Sequence, residues 1–174
     1  MSQFSYNLPL CRTSAKPIEI YGKSGKVGVV KGFYENVFTK FLDKISSECG
    51  RYLTYELRDS ENNVRIISKD ARGFTRKKAF VTYIDHNQVE HEIVMRETEC
   101  FDIDEKITFI YKNKEYLISK RLFEPAQLVV DGDVIADCNV QFMNRAYNVK
   151  MNIYNYAYLQ EHYLVLGLFH AALS

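Results

Sequence analysis

The sequence predicts a mainly β, single-domain fold: an antiparallel barrel of about twelve strands enclosing a hydrophobic C-terminal helix, with a short extra helix near 35-47. Two observations carry this. Short segments whose apolar residues alternate recur along nearly the whole chain, separated by tight-turn signals, as in an all-β meander. The last stretch, Tyr158 to Leu173 (YLQEHYLVLGLFHAAL), is apolar on every side from Tyr163 to Ala172 except at Gly167 and His170. A helix of that kind must be enclosed by protein or lipid, and this one falls short of the ~20 apolar residues that span a bilayer. The expected wall is therefore the strands themselves.

The elements follow in order. Gln3 to Leu8 and Pro17 to Tyr21 are short β-like runs, and Gly22-Lys23-Ser24-Gly25 is a turn into Lys26 to Tyr34 (KVGVVKGFY). Val37, Phe38, Phe41, Leu42 and Ile45 then recur at three-to-four spacing, which predicts a helix from about Glu35 to Ser47, ended by Cys49-Gly50. The period returns to two in Arg51 to Arg58, which pairs with Val64 to Lys69 across DSENN. Ala79 to Asp85 pairs with Val89 to Arg96 across HNQ. Ile107 to Tyr111, Glu115 to Arg121, Leu128 to Val130 and Val134 to Val140 continue the meander. Lys112-Asn113-Lys114 and Asp131-Gly132-Asp133 are tight turns, the latter because Asp-Gly accepts positive φ cheaply. Arg145 to Tyr154 is the last strand before the helix, and Pro125 sits between segments, where it interrupts no ladder.

Length and composition fit this reading. A chain of 174 residues is the size of one domain, and no linker, low-complexity tract or charge block divides it. With 23 Lys+Arg against 22 Asp+Glu no global field attracts nucleic acid, so any anion binding must come from a local patch. The opening MSQFSYNLPLCRTS lacks the charged-then-apolar order of a signal peptide. The expectation is a cytoplasmic protein, at most peripheral to a membrane, with no transmembrane segment. Cys11, Cys49, Cys100 and Cys138 are far apart, without a C-x-x-C pair or His at zinc-site spacing. Reduced thiols packed as small hydrophobes are expected, and no metal or cofactor.

The turn and strand DGDVIADCNVQF, then AYNVKMNIYNYAYL, then LQEHYLVLGLFHAAL resemble the C-terminal half of tubby C-terminal-like proteins, a superfamily that also holds the plant LURP-one-related proteins and the phospholipid scramblases. The resemblance is best over the last third of the chain. It implies a twelve-stranded antiparallel barrel around a central hydrophobic helix. There are two departures. Members commonly end the buried helix in an acidic residue, whereas this chain finishes Ala171-Ala172-Leu173-Ser174. The scramblase branch also carries a cysteine-rich tract and a membrane-spanning end, which this sequence does not, so scramblase activity is not expected.

One constellation has functional content. Lys69, Arg72, Arg76, Lys77 and Lys78 cluster in SKDARGFTRKK between two predicted strands, with Gly73 giving the loop freedom to gather its cations. Tubby proteins bind phosphatidylinositol bisphosphate through Lys and Arg on strands and loops of the barrel wall, so the resemblance implies anionic phospholipid as a partner. Each Lys or Arg near an anionic membrane contributes ~1 kcal/mol, and the attachment is salt-sensitive. A second reading stays open, because strand connections are routinely cationic to remain solvated and to blunt sheet edges.

Other patterns carry no site. Gly22-Lys23-Ser24 matches the tail of a phosphate-binding loop, but Pro17 stands where that loop requires Gly. Asp131, Asp133 and Asp137 lack the Gly that a calcium loop needs, since Ala136 occupies its place. His86 and His91 flank a turn beside Glu90 and Glu92; in a strand, adjacent residues face opposite ways, so an exposed polar strand is expected there and not a metal site. No G-x-S-x-G elbow or activated thiol is present, so no catalytic residue is nominated. His170 is expected to fill core volume and make one hydrogen bond to the barrel, and Gly167 to mark a close approach of wall to helix. The tyrosines, without basic interleaving, are expected to pack the barrel and not to stack on nucleic acid.

Three function classes remain: a non-enzymatic binding or scaffold module, with anionic phospholipid or an unknown protein as partner; a small hydrophobic ligand carrier with its helix packed outside an open lumen; and an enzyme with a surface cleft. The first is favoured, because a barrel plugged by its own helix has no interior left for a substrate.

Overall fold

The computed structural model describes residues 1–9, 16–45, 53–70, 78–101, 104–143 and 145–173. Twelve strands run in chain order: β1 (Ser2–Pro9), β2 (Ile18–Gly22), β3 (Gly25–Phe33), β4 (Thr54–Asp59), β5 (Val64–Asp70), β6 (Lys78–Ile84), β7 (Glu90–Phe101), β8 (Asp104–Tyr111), β9 (Lys114–Arg121), β10 (Ala126–Val130), β11 (Asp133–Met143) and β12 (Ala146–Ile153). Helix α1 (Val37–Ile45) lies between β3 and β4, and α2 (His162–Leu173) closes the chain after one 3-10 turn at Tyr156–Leu159. Every strand pairs antiparallel with its sequence neighbours, and β1 pairs with β12 from Ser2↔Ile153 to Pro9↔Ala146, so the sheet has no edge. An even number of up-and-down strands closes antiparallel without a crossover, and closure removes the unpaired edges that would template aggregation.

The diameter of a barrel grows with strand number; eight strands leave room only for side chains. Twelve leave a lumen, which α2, a rod ~10 Å across, fills. All residues from Tyr163 to Ala172 are buried, and they form one core with inward residues of the wall such as Ile66, Val81, Tyr83, Ile93, Met95 and Met151. The sequence places the helix's apolar character on every side for this reason.

The two ends of the barrel differ. At one end the turns are tight. Lys112 and Asn113 at φ 48° and 59°, and Asp131 and Gly132 at φ 53° and 87°, take the positive dihedrals of two-residue hairpins. The chain also enters α2 here. Glu161 accepts from the Tyr111 hydroxyl at 3.1 Å and pairs with Lys112, His86 Nε2 meets the Gln160 carbonyl at 2.6 Å, and the Tyr163 hydroxyl donates to the Val27 carbonyl at 2.9 Å. Arg65 ties two turns together, with Nε 2.8 Å from Asp59 Oδ2 and a second nitrogen 3.1 Å from the Asp85 carbonyl. At the other end lie the longer connections, α1, and the C-terminus of α2, where Ala172 and Leu173 line a recess with Ile107 and Ala126.

Most expected boundaries agree with the strands to within a few residues. The final helix differs: Tyr158 to Leu173 divides into a 3-10 turn capped by Asn155, whose side chain accepts from the Ala157 amide, and α2 proper. Gln160 and Glu161 are drawn to His86, Tyr111 and Lys112, so the chain turns before it enters the lumen. The expected helix stop at Cys49-Gly50 lies outside the described residues.

Candidate functional site

The expected basic cluster divides. Arg72, Arg76 and Lys77 lie outside the described residues; Lys69 and Lys78 stand at the ends of β5 and β6 that flank them. The inward residues of β5, β6 and β7 are Ile66 and Ser68, Ala79, Val81 and Tyr83, and Ile93 and Met95, so strand alternation puts Lys69, Lys78 and Phe80 on the outer surface. In the ladders Lys69 is opposite Phe80, Phe80 is opposite Val94, and Lys78 is opposite Arg96. Three cations from three strands therefore surround an outward aromatic ring.

Their chemistry is uneven. Lys69 Nζ lies 2.6 Å from Glu35 Oε2, and this bond is the main cause that holds the Glu35 carboxyl below its usual range. Lys78 places its ammonium 4.7 Å from the centroid of Phe80, which is 42% exposed. That is cation–π distance. Lys78 and Arg96 face each other directly, an arrangement of like charges that is unfavourable across a ladder. Among the described residues no carboxylate forms an ion pair with either. The arrangement is a cationic, partly apolar outer face. Arg96 and Phe80 were not among the expected residues. The signal for Arg96 was present, because a hairpin centred on Asn87 places it opposite Lys78 by counting.

The other polar clusters are structural. Asp85 Oδ1 accepts from the Asn87 amide at 2.8 Å and the Val89 amide at 3.0 Å, and Oδ2 lies 3.0 Å from His91 Nε2. The imidazole and those amides hold the Asp85 carboxyl below its usual range. His91 packs edge-on to Tyr111 at 5.4 Å, so the expected exposed strand is half-buried at this residue: alternation puts His91 on the inward face of β7 with Ile93 and Met95. Asp131 pairs with Lys114 at 2.7 Å, while Asp137 accepts from Asn152 at 2.8 Å and from the Tyr154 hydroxyl, so these carboxylates are directed apart. Among the described residues no cluster could hold a metal ion.

Inside the barrel, His170 lies edge-on to Tyr55 at 4.8 Å and 6.0 Å from Tyr6, as core packing. Cys138 is a free, buried thiol, and burial pushes its pKa up to about 12. The recess where α2 ends has room of about 10 Å³, that of about one water and far below the ~300 Å³ at which small-molecule sites begin. The lumen the carrier reading needs is occupied by α2. No helix among the described residues is long and apolar enough to cross a membrane.

The family model described as Tubby C-terminal like domain matches residues 4–174. No curated protein and no solved structure matches the chain.

Proposed function

We propose that this chain, which belongs to the Tubby C-terminal like domain family, is a non-enzymatic module that attaches to anionic phospholipid through Lys69, Arg72, Arg76, Lys77 and Lys78, joined by Arg96. Tubby-like domains in general bind phosphoinositides, and that supports the ligand class. The observation that carries the reading is the facing pair Lys78 and Arg96 beside exposed Phe80. Two cations held opposite each other repel until an anion lies between them, and a phosphate group relieves that cost. The adjacent ring offers an apolar surface at the depth of a headgroup. Several cations at ~1 kcal/mol each give attachment that weakens as salt rises.

Co-sedimentation with phosphatidylcholine vesicles, with and without phosphatidylinositol bisphosphate, tests this at low and physiological salt. Binding at physiological salt that needs the anionic headgroup is expected, as is its loss in a variant with Arg76→Glu, Lys77→Glu, Lys78→Glu and Arg96→Glu. Background pelleting of the wild type would overturn the reading and leave a scaffold that acts on a protein partner.

A further inference from the structure

The end of the barrel that carries the basic connection also carries two apolar tips. The first is the β9–β10 turn, where Leu122 is 58% and Phe123 97% exposed. The Glu124 amide donates to the Arg121 carbonyl at 3.1 Å, so Phe123 is the third residue of that turn, and its φ is 65°. Gly or Asn normally fills such a position. A bulky aromatic there is uncommon, and its ring is held clear of the wall. The second tip is the β11–β12 hairpin. Its pairing continues to Met143↔Ala146, whereas β10 leaves β11 at Cys138, so the hairpin rises past its neighbour. Phe142 and Met143 at its summit are 60% and 55% exposed, and the Phe142 ring packs on Tyr147 at 5.5 Å.

Each tip adjoins an arginine, Arg121 before Leu122 and Arg145 shortly after Met143. The charge of the two ends is opposite in sense. In sequence, Lys and Arg outnumber Asp and Glu in the segments joining strands at this end, whereas in the segments at the tight-turn end Glu61, Asp85, Asp131 and Glu161 outnumber Lys23 and Lys112. The near-zero net charge conceals an axial asymmetry. A surface that joins projecting apolar side chains to cations on one end of the molecule complements an anionic bilayer: apolar tips enter the acyl boundary while the arginines stay at phosphate level.

We propose that Leu122, Phe123, Phe142 and Met143 insert into an anionic bilayer, with the barrel axis set so that the tight-turn end points away from it. The proposal rests on the attachment reading above and adds an orientation and an insertion depth to it.

The chain contains no Trp, so Phe123→Trp is a unique fluorophore at the inserting end, and Tyr156→Trp, at a residue 77% exposed beside the tight turns, reports on the opposite end. Each is mixed with vesicles of phosphatidylcholine, phosphatidylserine and phosphatidylinositol bisphosphate, with or without brominated acyl chains. The expected result is a blue shift and bromine quenching at position 123, with neither at 156. A Phe123→Ser/Phe142→Ser variant keeps the wild-type melting temperature and binds on the order of tenfold more weakly, the equivalent of about 1.4 kcal/mol. Pelleting without quenching at 123 would overturn insertion and leave headgroup attachment standing; quenching at both positions would overturn the orientation. Absence of pelleting would overturn attachment and insertion together. A blue shift at 123 that appears without vesicles and grows with protein concentration would replace the bilayer by a second copy of the chain.

Discussion

Gly167 of α2 lies against Ile66 of β5 so closely that a Cβ on the glycine would stand 2.6 Å from Ile66 Cγ1, 2.7 Å from Cδ1 and 2.8 Å from Cγ2. Real Cβ atoms do not approach carbon so closely. The glycine costs the helix ~1 kcal/mol relative to alanine, and the structure gives the compensation: the wall touches the helix backbone there. Ile66 is only 2% exposed and β-branched, so it has little freedom to move aside.

Gly167→Ala is therefore expected to destabilise the protein by about 1–3 kcal/mol despite its better helix propensity. Adding Ile66→Ala should recover part of that loss, so the double variant is more stable than the sum of the two singles predicts. Urea midpoints decide it, and a Gly167→Ala variant more stable than wild type would refute the close approach.

Removal of the helix tests the plug itself. A chain ending at Tyr158 lacks the buried residues Tyr163 to Ala172 and is expected to be insoluble. Phe169→Ala, at a fully buried side chain, should cost about 3–5 kcal/mol. A soluble truncated chain with a β-sheet circular dichroism spectrum and a cooperative melt would show that the wall stands unaided.

Asp59 and Arg65 form an ion pair at 2.8 Å with side chains 6% and 12% exposed. Burial by itself raises the Asp59 carboxyl, but the Asn63 amide, the Arg65 guanidinium and the Asn63 side chain outweigh it and hold the group below its usual range. A depressed carboxylate contributes stability that is complete above the unfolded value of ~3.9 and is lost as pH falls through the folded one. Asp59→Asn, which leaves Arg65 only its bond to the Asp85 carbonyl, is expected to cost about 1–3 kcal/mol at neutral pH and to flatten the acid limb of stability against pH, measured by urea denaturation.

His162 gives a second acid-sensitive group in a higher window. Burial lowers its pKa, against the pull of its Nδ1 bond to the Leu159 carbonyl at 2.9 Å, while His86 and Arg65 lower it further. The folded state favours the neutral ring, so the contribution is complete above the unfolded value of ~6.5 and declines as pH falls from there toward the folded value. His162→Phe, which keeps an aromatic ring stacked on Phe4, should reduce the loss of stability just below pH ~6.5. An unchanged slope in that window would count against it.

Cys138 has a thiol pushed up to about 12 by burial, and only the thiolate reacts. Iodoacetamide followed by peptide mass mapping is expected to leave Cys138 unmodified in the native protein and modified in urea. Labelling of Cys138 under native conditions would show that the β10–β11–β12 wall opens.

Much of the wall was readable because a strand announces itself locally. Alternation, the Asp131-Gly132 turn and the hairpin through Asn87 depend on neighbours in sequence, and so does the three-to-four spacing that gives α1. Lys69 and Lys78 were readable as charges. What joins them to Arg96 and Phe80 is ladder register across three strands, and what occupies Lys69 is Glu35, far from it in sequence.

The sequence alone determined the number and kind of elements, the enclosure of α2 and a close contact at Gly167, since each follows from residue types at short range. Only the tertiary structure decided that β1 pairs with β12, that Ile66 is the residue Gly167 meets, and that Phe123 and Phe142 stand exposed at the barrel end. Closure arises from pairing residues more than a hundred positions apart, as in Ser2↔Ile153, and a local pattern carries no information about which distant segment completes it.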